Sequence, residues 1–128
     1  MTLGAALADE EYCYLTTTGR VSGQPREIEI WFGLADGKLY VLSGGRDRSH
    51  WVRNIMAEAS VSVRIGEATF HGEAHIVPPG SEEDALARRL LVAKYNPGRS
   101  GDLTDWGQTS LPVVVEMGSQ GHVTSGTC

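Results

Sequence analysis

Short segments in which apolar and polar residues alternate, joined by tight turns, are the feature that most restricts the fold of this chain. Residues 28–34 alternate with a period of two, which predicts a strand with one buried face. The Asp36-Gly37 pair then predicts a hairpin turn before a returning strand over 39–42. Residues 61–65 and 68–77 alternate in the same way around a Gly-Glu turn, which predicts a second hairpin. The strands are therefore expected to pair antiparallel.

Two further strands flank these hairpins, and a short helix lies between them. A first strand is predicted over residues 11–18, and a last strand over residues 111–116. Pro112 predicts that the last strand lies at a sheet edge, because proline cannot donate to the hydrogen-bond ladder. Apolar residues recur four apart from Trp51 to Met56, which predicts an amphipathic helix capped by Asp47.

A second helix is predicted after the second hairpin. Ser81 and Asp84 resemble a capping box, and the helix is expected to run through Lys94 until Asn96-Pro97-Gly98 stops it. The whole order is strand, strand, strand, helix, strand, strand, helix, strand. Several short half-buried strands must close or cover their edges, so this order predicts a mainly β protein with helices, folded as an antiparallel barrel.

Length and composition predict one small domain in a reducing compartment. The 128 residues suffice for a single core, expected over about 11–117, with a tail over 118–128 that has little to bury. A formal net charge of −5 argues against general nucleic-acid binding, and no apolar run reaches the roughly 20 residues of a membrane span. The first residues lack the pattern of a secretory signal, and only two cysteines are present, so a cytoplasmic location is expected.

Five of the eleven basic residues cluster in two short segments. Arg20 and Arg26 bracket the first loop, and Arg46, Arg48 and Arg53 surround the start of the first predicted helix. Guanidinium groups, together with the exposed backbone of a Ser-Gly-Gly loop at 43–45, suit a phosphate or carboxylate. Solvated arginines beside ordinary turns are the alternative interpretation.

Other chemically suggestive residues are better explained without a site. His71 and His75 share a strand face about 13 Å apart, too far to hold one metal, so we expect a solvated polar face and no metal site. Trp31 and Trp106 are expected to be packing residues. Cys13 lies within a predicted strand and is expected to be an inert buried thiol.

Two motifs carry a resemblance to a known family. The run Leu15-Thr16-Thr17-Thr18-Gly19-Arg20-Val21-Ser22-Gly23-Gln24-Pro25-Arg26, followed by a Ser-Gly-Gly loop and Trp51-x-x-Asn54, closely resembles the deazaflavin-dependent nitroreductase family. This family is part of the flavin/deazaflavin oxidoreductase split barrels, which are related to pyridoxamine 5'-phosphate oxidase-like proteins. The resemblance extends from about Tyr12 to the strand at 111–114 and implies an FMN-binding-like split β-barrel.

The resemblance also implies a cofactor, coenzyme F-420, laid across the barrel. Its anionic tail is expected at the first loop, and its ring near the second strand and the Ser-Gly-Gly loop. The residues implied to bind it are Arg20, Ser22, Gly23, Arg26, Ile28, Ile30, Ser43, Gly44, Arg46, His50 and Trp51. Two departures stand out: Val21 replaces a lysine or arginine of the family, and Ile28-Glu29-Ile30 replaces a polar-proline pair.

The implied activity is hydride transfer from the reduced deazaflavin to a small electron-poor organic substrate. No side chain is required as a nucleophile, and the candidate proton donors are Tyr14 and Tyr95. An FMN-dependent enzyme of the pyridoxamine-phosphate-oxidase-like type is the first alternative. A non-catalytic cofactor or haem carrier, with His50, His71 or His75 as ligand, is the second. Relatives pair their barrels, which implies a homodimer.

Overall fold

The computed structural model describes Leu7, residues 9–95 and residues 104–120. Its strands are β1 (Cys13–Thr18), β2 (Pro25–Ile30), β3 (Gly33–Ala35), β4 (Lys38–Ser43), β5 (Ser60–Ile65), β6 (Ala68–Ile76) and β7 (Leu111–Gln120). Its helices are α1 (His50–Ala57), α2 (Glu82–Tyr95) and α3 (Thr104–Thr109), and a 3-10 turn covers Arg46–Arg48. The strands form one sheet in the order β2-β1-β5-β6-β7-β4-β3, and every neighbouring pair is antiparallel. The predicted mainly β, antiparallel fold is therefore confirmed.

The sheet curls because β2 and β3, which follow each other in the chain, lie at its opposite edges. Only Trp31 and Phe32 separate the two strands. Three residue steps from Ile30 to Gly33 reach about 11 Å at most, so the two edges must converge there. The single strand expected over residues 28–34 is wrong in this respect, because the chain leaves one edge at Trp31 and joins the other after Phe32. The result is a half-barrel.

A buried tyrosine holds this crossing between the edges. The Tyr95 hydroxyl accepts a hydrogen bond from the Phe32 N–H at 3.0 Å and donates to the Glu11 carbonyl oxygen at 2.7 Å. Lys94 Nζ donates to the Phe32 carbonyl oxygen at 3.0 Å. Burial raises the pKa of Tyr95 to about 12, so its hydroxyl keeps its proton at neutral pH. One side chain of α2 therefore ties the crossing to the residues before β1.

The curled sheet encloses one apolar cluster and carries a second on its outer face. Alternate residues of each strand point inward, among them Leu15, Val63 and Val113, and all three are fully buried. On the outer face of β4 and β7, α2 covers Tyr40 and Val114. Cys13 belongs to the inner cluster, and burial raises the pKa of its thiol to about 12, which confirms the prediction of an inert buried thiol.

The last strand departs from its predicted place. β7 lies in the middle of the sheet, between β6 and β4, so the edge position predicted from Pro112 is wrong. Pro112 faces Leu42 on one side, and its carbonyl oxygen accepts the Val77 N–H at 3.0 Å on the other. Val77 follows the end of β6 at Ile76, so the missing N–H of the proline interrupts no ladder bond between these strands.

Two helix starts differ in detail from the sequence patterns. The residue before α1 is Ser49, and Asp47 lies in the preceding 3-10 turn, so the cap predicted at Asp47 is wrong. The start of α2 is as predicted, since the Asp84 N–H donates to Ser81 Oγ at 3.1 Å. The carboxylate of Asp84 accepts the Gly80 N–H at 3.0 Å, one residue earlier than in a capping box.

The stop predicted at Asn96-Pro97-Gly98 and residues 121–128 of the predicted tail lie outside the described residues. Residues 118–120, which the sequence also assigns to the tail, belong to β7, so the last strand is longer than the predicted 111–116. The helices that the structure describes are all too short or too polar to cross a membrane.

We predict that Tyr95→Phe lowers the free energy of unfolding by about 1 to 3 kcal/mol, because it leaves the buried Phe32 N–H without its partner and also removes the hydrogen bond to the Glu11 carbonyl oxygen. Urea unfolding followed by circular dichroism measures the change. Tyr12→Phe is the matched control, because the Tyr12 side chain is exposed. Equal unfolding midpoints for the two variants would contradict the role given to the Tyr95 hydroxyl.

Candidate functional site

The first loop, residues 19–24, is a compact turn that depends on its glycines. The Gly19 N–H donates to the Gln24 carbonyl oxygen, and the Gly23 N–H donates to the Gly19 carbonyl oxygen, both at 2.8 Å. Gly23 has a φ of +74°, which favours glycine. A Cβ on Gly19 would lie 2.8 Å from Ser22 Oγ. The resemblance motif therefore has a geometric basis in this loop.

Arg20 leaves this loop and lies against α1. Its Nη1 donates to the Asn54 Oδ1 at 2.8 Å and to the His50 carbonyl oxygen at 3.3 Å. Its Nη2 lies 3.2 Å from His50 Nδ1, and its backbone N–H donates to Asn54 Oδ1 at 3.2 Å. Two predicted site residues from distant parts of the sequence, Arg20 and His50, are therefore in direct contact.

Arg26 and the tip of the loop face solvent. The Arg26 Nη2 lies 3.5 Å from Ser22 Oγ, which also accepts the Gln24 N–H at 3.1 Å. Val21 is 94% exposed at the tip of the loop. A Cβ on Gly23 would meet no atom within 4 Å, so the space beside the loop is open. The loop thus presents Arg26, Ser22 and Gly23 on one accessible side.

The Ser-Gly-Gly loop after β4 folds back on itself. Ser43 is buried, and its Oγ donates to the Arg46 carbonyl oxygen at 2.9 Å and lies 2.8 Å from Ser49 Oγ. A Cβ on Gly45 would lie 2.6 Å from Ser49 Oγ, so the close approach requires glycine there. The hydroxyl of Ser43 is engaged within the loop, while Gly44 is exposed.

Helix α3, which the sequence patterns did not predict, is held beside this loop by arginines. Arg46 donates to the carbonyl oxygen of Thr109, and Arg88 Nη1 donates to those of Gly107 and Gln108 at 2.8 Å. These are carbonyl groups of the last turn of α3, where a cation is favourable. A six-residue helix is too short to show a hydrophobic period, which is why no pattern indicated it.

An aromatic cluster links α3 to the crossing. The ring of Trp31 stacks on Tyr95 with centroids 4.3 Å apart, and Trp106 meets Trp31 edge-on at 5.5 Å. A Cβ on Gly44 would lie 3.8 Å from Trp106 Cδ1, so the indole borders the Ser-Gly-Gly loop. Both tryptophans pack, as predicted, and both keep part of their surface accessible.

The remaining predicted site residues lie on β1, β2 and the start of α1. Ile28, Ile30 and Trp51 are partly buried against the inner cluster. Tyr14 lies on the outer face of the sheet, where its hydroxyl donates to Glu29 at 2.8 Å and its ring lies 4.2 Å from the Arg64 guanidinium carbon. The hydrogen bond to Glu29 raises the pKa of Tyr14. The two candidate proton donors thus differ in their surroundings, because Tyr14 is partly exposed on β1 and Tyr95 is buried on α2.

A groove of about 410 Å³ lies near the first loop on the outer face of β1, β5 and β6. Its lining is mostly small and hydroxyl-bearing: Thr16, Thr17, Thr18, Gly23, Pro25, Ser60, Val61, Ser62, His71 and Gly72. His71 Nδ1 lies 3.1 Å from Ser62 Oγ. His71, Glu73 and His75 are exposed, which confirms the solvated polar face predicted for them.

The chain is similar to proteins of one family and shares its fold with others. The model of the F420H(2)-dependent quinone reductase family matches residues 1–118. The solved structure of an F420-H2 dependent reductase, FDR-A, is 27% identical over 83% of this chain and 94% of that one, with a TM-score of 0.66.

Two further solved structures extend the comparison. A domain-swapped dimer is also 27% identical, over 83% of this chain and 80% of that one, with a TM-score of 0.66. HutZ, a haem storage protein from Vibrio cholerae, is 16% identical over 93% of this chain and 92% of that one, with a TM-score of 0.70. The last likeness concerns the fold alone.

Gly107 allows α3 to approach α2, and we predict that its replacement disturbs the aromatic cluster. An added Cβ would lie 2.4 Å from Val92 Cγ2. Overpacking costs about 1 to 3 kcal/mol and the better helix propensity of alanine returns about 1 kcal/mol, so Gly107→Ala should be destabilising by about 1 kcal/mol. It should also change the near-UV circular dichroism of Trp31 and Trp106.

The matched background for this test is Val92→Ala, which removes the obstructing methyl groups. There, adding Gly107→Ala should stabilise the protein instead, because the new methyl group fills space and the helix propensity improves. Urea unfolding of the wild-type protein, Gly107→Ala, Val92→Ala and the double variant measures whether Gly107→Ala stabilises or destabilises the protein in each background. A stabilising effect in both backgrounds would show that α3 is not packed as tightly as described.

Proposed function

Because the chain belongs to the F420H(2)-dependent quinone reductase family, we propose that it uses reduced coenzyme F-420 to reduce a small electron-poor organic acceptor, a quinone or a nitroaromatic compound. The F-420 dependence and the oxidoreductase class follow from the family. The observation that carries the proposed site is the contact of Arg20 with His50 and Asn54. It joins the first loop to the helix that follows the Ser-Gly-Gly loop, so the two segments expected to bind the cofactor are neighbours.

The residues of the first loop fit an anionic cofactor tail. Arg26 and Ser22 are exposed beside the open space at Gly23. A guanidinium has five N–H donors, and the described contacts of Arg20 use at most three of them, with His50 and Asn54. The other two donors of Arg20 are therefore left for a phosphate or carboxylate. We propose that Arg20, Ser22, Gly23 and Arg26 hold the tail.

The ring is proposed to lie near the Ser-Gly-Gly loop. Gly44 is exposed there and permits close approach to the backbone, while Trp106 and Trp31 supply flat apolar surface next to it. When bound, the reduced deazaflavin supplies the hydride. The chain's own part is to bind the anionic tail, orient the ring and hold a planar acceptor, which together account for catalysis by positioning.

The proton donor stays a prediction. The Tyr95 hydroxyl is buried, is bonded to two backbone groups and has a pKa raised to about 12, which favours a structural role. Tyr14 is accessible, and its hydroxyl donates a hydrogen bond to the Glu29 carboxylate. Of the two candidates, Tyr14 is therefore the one that solvent and ligands can reach.

The proposed working form is a homodimer in the cytoplasm. A domain-swapped dimer is among the similar solved structures, at 27% identity, which supports pairing of two chains. The buried thiol of Cys13 has no disulfide partner among the described residues, which suits a reducing compartment.

We predict that Arg20→Ala and Arg26→Ala each weaken F-420 binding by about 1.5 to 3 kcal/mol, or roughly 10- to 150-fold in Kd, as for loss of a charge-assisted hydrogen bond. Fluorescence titration at low salt measures the affinity. Arg89→Ala is the matched control, because Arg89 is an exposed arginine on α2. Unchanged affinity in both loop variants would remove the first loop from the site.

Val21→Lys tests whether a cation is missing at the loop tip. An exposed ion pair contributes about 0 to 1 kcal/mol, so F-420 should bind up to roughly fivefold more tightly, and added salt should weaken the gain. FMN, which has one phosphate, should respond less. Val21→Gln is the uncharged control. Tight FMN binding without F-420 binding at any salt concentration would contradict the proposed function.

A further inference from the structure

Asn54 is a buried polar side chain whose hydrogen bonds all run from α1 to β1 and the first loop. Its side chain is 4% exposed, and its helix neighbours Val52 and Ile55 pack in the inner apolar cluster. Its Oδ1 accepts the Arg20 backbone N–H at 3.2 Å and Arg20 Nη1 at 2.8 Å. Its Nδ2 donates to Thr17 Oγ1 at 3.1 Å. The amide thus contacts Arg20 twice.

The chemistry of these partners fixes the orientation of the Asn54 carboxamide. Both Arg20 groups are donors, so only the amide oxygen can face them, and the amide nitrogen is then directed at Thr17. Thr17 is also buried, so an unpaired amide nitrogen there would be costly. Hydrogen bonds therefore hold both the oxygen and the nitrogen of the Asn54 amide. They also fix the position where the chain leaves β1.

The charge of the acceptor matters as much as its position. Asn54 is neutral, and the other acceptors of Arg20 are the carbonyl oxygen and Nδ1 of His50. Neutral acceptors orient a guanidinium without cancelling its charge, whereas a carboxylate in the same place would form an ion pair with it. Arg20 is thereby held in one place and stays positive toward solvent.

We propose that Asn54 is a positioning residue for cofactor binding: it holds Arg20 in place with its charge uncompensated, ready for the anionic tail. This inference rests on the proposed function, because it takes Arg20 to be a ligand of the tail. An exposed arginine loses considerable rotamer freedom when it binds an anion, and a side chain that is already held has less to lose. Asn54 therefore raises affinity through Arg20 without touching the cofactor.

The test is a double-mutant cycle on the affinity for F-420, with Arg20→Ala, Asn54→Ala and the double variant. Fluorescence titration gives Kd, and urea unfolding of the same proteins gives stability. Asn54→Ala should raise Kd by about 3- to 10-fold when Arg20 is present, the range for one hydrogen bond. In the Arg20→Ala background its effect on Kd should be clearly smaller, because only the bond from the backbone N–H of residue 20 to Asn54 Oδ1 is then left to lose. Its effect on stability should persist in both backgrounds, because Thr17 still loses its partner.

Asn54→Asp separates positioning from charge and also serves if Asn54→Ala does not fold. It keeps an acceptor for Arg20 but adds a negative charge, so Kd should rise at least as much as in Asn54→Ala, and the dependence of Kd on salt should become weaker. Ile55→Val is the control for lost stability, because Ile55 lies on the same helix and packs in the inner cluster. It should lower stability and leave Kd unchanged.

The outcomes distinguish this inference from the function on which it rests. If Arg20→Ala weakens binding and Asn54→Ala raises Kd by the same factor in both backgrounds, the positioning role is overturned and the proposed function stands. Unchanged or tighter binding by Asn54→Asp also overturns the positioning role. If Arg20→Ala leaves Kd unchanged, Arg20 is not a ligand of the tail, and both assignments fail.

Discussion

The two-residue crossing from β2 to β3 is the constraint on which the rest of the structure depends. It joins opposite edges of a seven-strand sheet, so the sheet has to curl around its apolar face. Tyr95 and Lys94 of α2 hold the backbone of Phe32 at this point. α2 then covers the outer face of β4 and β7, while α1 inserts Val52 and Ile55 into the interior. The burial of these two residues fixes the helix against which Arg20 lies.

The arginines of the candidate site are held mostly by neutral acceptors. Arg20, Arg46 and Arg53 donate to carbonyl or amide oxygens. Between described residues the salt bridges are Lys38–Glu83 and Arg88–Asp84, both of which involve α2. A chain with a net charge of −5 can thus keep a local positive region, because these guanidinium groups are oriented without being neutralised by carboxylates.

Helix α3 shows how a short element can shape a site. The carbonyl oxygens of its last turn accept hydrogen bonds from Arg46 and Arg88, and Gly107 lets α3 approach α2 closely. Both contacts place Trp106 between the Ser-Gly-Gly loop and Trp31. The surface next to Gly44 is therefore formed by residues from three separate parts of the chain, and its apolar character suits a planar acceptor.

The sequence by itself determined the local elements, because period two, an Asp-Gly turn and a helix start such as Ser81–Asp84 are short-range properties. It also indicated the first loop and the Ser-Gly-Gly loop, whose glycines are required by contacts within a few residues. Tertiary structure alone decided the break of the 28–34 strand, the central place of β7 despite Pro112, and the contact of Arg20 with Asn54. These depend on which edges meet when the sheet curls, and that is fixed by packing between residues far apart in the chain, which no local pattern records.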